Sequence, residues 1–163
     1  MNKIIVIGPS GSGKSEFSRK LNKILNIDIY HLDNIFWNSD KTHITREEFD
    51  IKLNDILSKD RWIIDGDYSR TYEIRFMNAD TIFYLDYPLD VCLEGAKSRI
   101  GKKRDDLPWI EDEFTQEFKE WIINWHNTTK HIVEALINKY KDKNIIVFKN
   151  RDEANSYLKS LNK

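Results

Sequence analysis

The sequence predicts an α/β protein in three layers, a parallel five-stranded sheet with helices on both faces. Three observations predict it. Apolar runs of strand length alternate with helical apolar periodicity along the whole chain. No Gly/Ser-rich or Pro-rich linker, repeat or low-complexity stretch interrupts the alternation, so residues 1–163 read as one domain. The first apolar run leads straight into a glycine-rich loop and then a helix, the connection that open parallel sheets place at their carboxyl edge.

Taken in order, Lys3–Ile7 is the first strand; its unbroken Ile4-Ile5-Val6-Ile7 suits a strand covered on both faces. Ser15–Leu25 is a helix with Phe17, Leu21, Ile24 and Leu25 on one side, and Ile27–His31 is a short second strand ending in His31-Leu32-Asp33. Thr45-Arg46-Glu47-Glu48 has capping-box spacing and opens a helix carrying Phe49, Leu53, Ile56 and Leu57. Trp62–Asp65 is a third strand, stopped by Gly66, and Thr81–Leu85 a fourth. Pro88 suits the first turn of a helix running to about Ile100. A long helical stretch follows from about Glu111 to Tyr140, with a break near His126–Thr129. Asn144–Phe148 is the fifth strand and Asp152–Leu161 the final helix. Pattern alone does not order the strands.

Composition narrows the function classes. A chain of 163 residues, 40% hydrophobic and 33% charged, buries one substantial core under a very polar surface. The formal net charge of −1 offers no bulk attraction to nucleic acid or to an anionic membrane, so direct nucleic-acid binding is not expected. No apolar run approaches the roughly 20 residues of a membrane span, and the N-terminal run is too short for a secretory signal. The single cysteine, Cys92, excludes an intramolecular disulfide and points to the reducing cytoplasm; it reads as a small apolar residue packed in a helix. A monomer or homodimer is expected.

Residues 8–15, Gly-Pro-Ser-Gly-Ser-Gly-Lys-Ser, are a complete G-x-x-x-x-G-K-[ST] phosphate-binding loop in strand–loop–helix context. Successive N–H groups along the loop and the new helix cradle phosphate oxygens. Gly8, Gly11 and Gly13 permit the curl and the close backbone approach. Lys14 is placed for the β- and γ-phosphates and the Ser15 hydroxyl for Mg²⁺. The nucleotide-binding set is therefore Gly8, Ser10, Gly11, Ser12, Gly13, Lys14, Ser15 and Glu16, against the alternative of a glycine-rich turn that binds nothing. Asp65 ends a buried strand, where a carboxylate is costly unless compensated. It is the second candidate metal residue beside Ser15, acting through water; the alternative is a turn-forming Asp-Gly pair.

The tryptophans divide by context. Trp121 and Trp125, four apart on a helix, have core spacing, and Trp62 is packed in its strand. Trp37 and Trp109 fall in loops, where an aromatic ring stacks on a planar substrate or closes a pocket. A GTPase would carry the Asn-Lys-x-Asp base-reading motif, which Lys141-Asp142-Lys143-Asn144 only superficially matches.

Residues 65–71, Asp-Gly-Asp-Tyr-Ser-Arg-Thr, resemble the Asp-Gly-Phe-Pro-Arg-Thr segment of nucleoside monophosphate kinases. With the phosphate loop, His31-Leu32-Asp33, Trp37, the run Arg61–Arg70 and Tyr84-Leu85-Asp86-Tyr87-Pro88, nearly the whole chain resembles a bacterial adenylate-kinase-like P-loop NTPase family labelled "DNA topology modulation protein". The resemblance implies a three-layer α/β/α P-loop NTPase with strand order 2-3-1-4-5, an acceptor-side segment at 34–60 and a small lid at about 100–113. It implies an ATP- and Mg²⁺-dependent phosphotransferase with a small acceptor, or, as the label suggests, an ATP-binding regulator of DNA topology or gene expression acting through a partner. Lys14, Asp33, Arg70 and Arg99 are the implied catalytic residues.

Arg70 falls where the kinases hold an acceptor phosphate, a task suited to its bidentate fork. Arg75 reads as a surface residue pairing with Glu73, the alternative being that it assists Arg70 with the acceptor. Asp33 stands where kinases of hydroxyl acceptors, such as shikimate and gluconate kinases, carry a carboxylate that takes the proton; a turn cap is the equal alternative. His31 reads as a packed strand-end imidazole. Arg99 best matches a lid arginine, while Lys102, Lys103 and Arg104 beside Asp105-Asp106 also fit a self-neutralising solvated loop. Asn150-Arg151-Asp152 lies where related kinases cradle adenine, largely with backbone atoms. The short 34–60 stretch, the few arginines and the lack of a zinc-binding cysteine set turn away from AMP as acceptor and leave ATP as donor.

Overall fold

The computed structural model describes residues 1–163. Five strands, β1 (Lys3–Ile7), β2 (Ile29–His31), β3 (Trp62–Asp65), β4 (Thr81–Leu85) and β5 (Asn144–Phe148), form one sheet. Its order is β2-β3-β1-β4-β5, with every pairing parallel and Ile5 aligned between Ile64 and Ile82. Sheet, order and the placement of helices on both sides agree with expectation.

Because side chains alternate along a strand, each strand feeds two cores. Ile5, Ile7, Trp62, Ile64, Ile82 and Tyr84 face one side, where α3 (Arg46–Leu57), α4 (Tyr72–Asn78) and α7 (Lys130–Lys139) bring Phe49, Leu53, Phe76, Val133 and Leu136. Ile4, Val6, Ile63, Phe83 and Leu85 face the other, covered by Phe17, Leu21, Cys92, Ala154 and Leu158 from α1 (Lys14–Leu25), α5 (Leu89–Ser98) and α8 (Arg151–Leu161). Each such side chain contributes about 1.5–3 kcal/mol on burial. That two-sided packing fixes the carboxyl ends of β1, β2 and β3, from which the loops of the site spring.

Several boundaries differ from expectation for physical reasons. Asp33 lies not in a turn but in α2 (Leu32–Phe36), a five-residue helix directly after β2. The Ser69–Thr71 3₁₀ turn and α4 were not anticipated, since a seven-residue helix is too short to show periodicity. The third-layer helix begins at Gln116, not Glu111, because Thr115 caps it: its Oγ1 accepts the Phe118 N–H at 3.0 Å. Residues 99–115 hold neither helix nor strand. The expected break is instead a widened π turn, Trp125–Thr129, between α6 (Gln116–Asn124) and α7. Thr45 caps α3 as its spacing predicts, accepting from the Glu48 N–H at 3.2 Å. No helix is long and apolar enough to cross a membrane.

Candidate active site

A cavity of about 1070 Å³ opens at the carboxyl ends of β1, β2 and β3. It lies at the upper end of the ~300–1,000 Å³ usual for a small-molecule site. Ser10, Gly11, Gly13, Lys14 and Ser15 line one end; Asp33, Trp37, Tyr68, Arg70 and Trp109 line the other.

The phosphate loop is held from below. Gly11 has φ +84°, and a Cβ there would lie 1.9 Å from the Cys92 carbonyl oxygen. Gly95 on α5 makes the reciprocal approach, since its Cβ would lie 2.1 Å from the Gly11 oxygen. Arg151 donates to the Gly11 and Ser12 carbonyls at 3.0 Å each while its guanidinium lies over the Tyr87 ring. The turn that the resemblance assigns to adenine braces the loop through the Arg151 side chain, a contact the sequence does not suggest, and Gly95 is not singled out by the sequence at all. Ser12 is buried and donates to the Pro9 carbonyl at 2.7 Å, and Gly8 packs on Leu85; both shape the loop without lining the cavity. Lys14 Nζ donates to the same Pro9 carbonyl at 3.0 Å. Burial lowers its pKa, against the opposing charges of Asp67, Asp65 and Asp33 and with the help of Arg99. Glu16 sits exposed at the rim, paired with Lys20 at 2.9 Å.

Ser15 and Asp65, the expected metal residues, each have a different partner. Ser15 Oγ donates to Asp106 Oδ2 at 2.7 Å, and Asp65 Oδ2 lies 2.8 Å from His31 Nδ1. His31 is the packed imidazole the sequence suggested. Burial works against its protonation, yet the Asp65 hydrogen bond and charge outweigh that and raise its pKa. Asp106 was missed: it lies 91 residues from Ser15 in a stretch without periodicity. Its acid is held far below the usual range: Arg104 and the Ser15 hydroxyl overcome its burial. Arg104 grips both Asp106 oxygens at 3.0 and 2.7 Å and also bonds Glu111, so this member of the basic run neutralises itself internally while Lys102 and Lys103 stay exposed. Arg99, beyond the end of α5, lines the cavity with its Nε buried and unpartnered; burial, then Arg104, lowers its pKa.

At the other end, Asp33 Oδ1 accepts from the Tyr68 hydroxyl at 2.7 Å. Burial raises the Asp33 acid, Tyr68 and Lys14 pull it back, and the charges of Asp106 and Asp65 push it up again. Tyr68 is left-handed at φ 48° and is held there from behind by Arg75. Here the sequence reading is corrected. Arg75 is fully buried, and its fork bonds the carbonyls of Gly66 at 3.1 Å, Tyr68 at 3.3 Å and Asp67. Glu73 pairs instead with Lys139 at 2.6 Å. The irregular loop after β3 leaves carbonyls without a ladder partner, and Arg75 satisfies them.

Arg70 stands at the rim with its fork on Asp50, at 3.2 and 2.7 Å, a partner the sequence did not suggest. Trp37 and Trp109 meet edge to face at 5.6 Å on the cavity wall. Trp121 is a second correction: it is 54% exposed and lines the cavity, whereas Trp125 is buried. Ile122 packs in one core and Trp125 in the other, which leaves Trp121 on the cavity side.

No protein-family model and no curated protein matches the sequence. Solved structures do. Shikimate kinase from Acinetobacter baumannii in complex with shikimate superposes with a TM-score of 0.65 at 13% identity, over 99% of this chain and 90% of that one. Shikimate kinase from Bacteroides thetaiotaomicron gives 0.60 at 16% identity over 97% and 94% of the two chains. Shikimate kinase from Aquifex aeolicus gives 0.55 at 18% identity over 97% and 92%. The chain shares the fold of these shikimate kinases. At these identities the likeness is one of architecture, and the chemistry of this P-loop fold rests on its own residues.

Proposed function

We propose that the protein is an ATP- and Mg²⁺-dependent phosphotransferase acting on a hydroxyl of a small acceptor. The observation that carries this reading is the pairing, in one cavity, of a complete phosphate loop with the Asp33 carboxylate, whose titration Lys14 influences. The shikimate kinases of like fold, one solved with shikimate, support the same class of reaction. We also assign the chain to the adenylate-kinase-like family that residues 61–70 resemble, place it in the cytoplasm, and read 34–60 as its acceptor side and 100–113 as its lid.

The site suits a metal-bound triphosphate. Gly11 and Gly13 keep the loop free of side-chain bulk, and Arg99 offers a buried nitrogen without a partner. The Ser15 hydroxyl meets the Asp106 carboxylate, and oxygen donors of this kind are those that Mg²⁺ prefers. Ser15 and Asp65 would hold the ion, which supplies neutralisation of phosphate charge. Lys14, the loop amides and Arg99 stabilise negative charge on the transferring group. Tyr68 occupies Asp33 Oδ1, which leaves Oδ2 to take the acceptor's proton as its oxygen bonds to phosphorus and ADP departs. Trp37 and Trp109 suit an acceptor with an apolar or planar face. Arg70, already bridged to Asp50, orients the acceptor from the rim.

The test is an ATP-depletion screen of the purified protein against hydroxylated metabolites, nucleosides and nucleotides, with Lys14→Ala as control. A hydroxyl acceptor predicts turnover that Asp33→Asn reduces at least about a hundredfold, in line with the usual worth of a general base, while Arg70→Ala is milder. A nucleoside monophosphate acceptor with the reverse pattern overturns the hydroxyl assignment. Tight ATP binding without turnover across the panel overturns the kinase.

A further inference from the structure

The hydroxyl at the end of the phosphate loop is held by a carboxylate from a distant segment. Asp106 is only 5% exposed, and its Oδ2 receives the Ser15 Oγ–H bond at 2.7 Å. The segment carrying it is fastened on several sides. The Asn34 amide bonds the Asp105 carbonyl, the Gly101 N–H reaches the Glu111 carbonyl at 2.7 Å, and Arg19 lies 4.0 Å from Asp105. Arg104 serves Asp106 and Glu111 together, so one guanidinium faces two carboxylates. The charges of Asp65 and Asp106 also both reach Asp33. Against the cationic Lys14 and Arg99, the wall beside Ser15 is therefore anionic.

This arrangement treats a triphosphate differently with and without its metal. A bare triphosphate brings oxygens of like charge toward Asp106 in a partly dry site, where repulsion is weakly screened. A metal-bound triphosphate brings a cation, for which Asp106 is a favourable neighbour and the Ser15 oxygen a ligand. We propose that Asp106 is the specificity-determining residue through which the nucleotide site accepts metal-bound ATP and rejects metal-free ATP. The proposal rests on the donor-site reading above.

Isothermal titration of the full chain with ATP, once in Mg²⁺ and once in EDTA, tests it without reference to turnover. The wild-type protein is expected to bind ATP at least tenfold more tightly in Mg²⁺. Asp106→Asn keeps the shape and a hydrogen-bond acceptor but removes the charge; it is expected to tighten metal-free ATP several-fold and so shrink the ratio. Asp106→Glu is expected to keep the ratio, and Asp106→Ser, in case the Asn protein does not fold, to lose it. An unchanged ratio in the uncharged variants overturns the proposal, as does equal weakening in both media. Wild-type protein that binds ATP equally in both media overturns the role of Asp106 alone. Wild-type protein that binds ATP in neither medium overturns the donor site itself, and the proposal with it.

Discussion

At Asp33 the folded chain keeps a carboxylate whose acid burial pushes up, with Tyr68 and Lys14 only partly restoring it. A folded pKa above the unfolded one means that the ionised group opposes folding at neutral pH. That opposition fades as pH falls through the folded value, because the folded state then binds its proton. Asp33→Asn is therefore expected to raise the melting temperature at pH 7 while removing turnover, with the difference from wild type shrinking toward pH 4. Thermal melts of both proteins across pH 4–8 measure this, and an Asn variant that melts lower at pH 7 contradicts it. That Lys14 and Ser15 stand on the cavity wall follows from the loop's own sequence and its strand–loop–helix context. The place of Arg75 was not legible in the sequence: a nearby Glu73 suggested a surface pair, and only the direction of α4 turns the guanidinium toward the carbonyls of Gly66, Asp67 and Tyr68. Asp106 was equally hidden, since nothing local ties it to Ser15.

Among the elements, the phosphate loop announced itself because its chemistry lies in one contiguous run. What holds it does not. Gly95 is an unremarked glycine inside α5, yet it lets the helix lie against Gly11, and a methyl group there would meet the Gly11 carbonyl oxygen at 2.1 Å. Both contacts are backbone to backbone, so relief requires the helix to move. Gly95→Ala is expected to cost about 1–3 kcal/mol, typical of overpacking, and to weaken ATP binding at least tenfold. Urea denaturation and nucleotide titration measure the two effects; an Ala variant of unchanged affinity separates the loop's shape from α5. The strands were read almost to the residue because unbroken apolar runs are a strong signal. The stretch 99–115 offered only charges, whose partners depend on tertiary position.

For the molecule as a whole, two cores share one sheet, and the site lies where three strand ends emerge between them. Alternation along the strands was legible as a two-faced sheet, whereas strand order came only through family resemblance. Ligand binding at such a junction stabilises everything packed on the sheet. Mg²⁺ with ATP at a hundred times its dissociation constant is expected to add about 2.7 kcal/mol, or about 5–11 °C for a chain of this size. Thermal shift reads this directly, and Lys14→Ala is expected to abolish most of it.

The π turn at Trp125–Thr129 has a consequence of its own. Upstream of it Trp121 faces the cavity and Ile122 one core; downstream, Val133 and Leu136 face the other. The extra residue in the wide turn sets the phase between these two assignments. Each residue of an α-helix advances the face by about 100°, so deleting one residue here would make the helix more regular and rotate all of α7 out of its core. In this stretch the chain counts residues as strictly as a reading frame does, and a deletion harmless to local geometry becomes a fault in the whole fold.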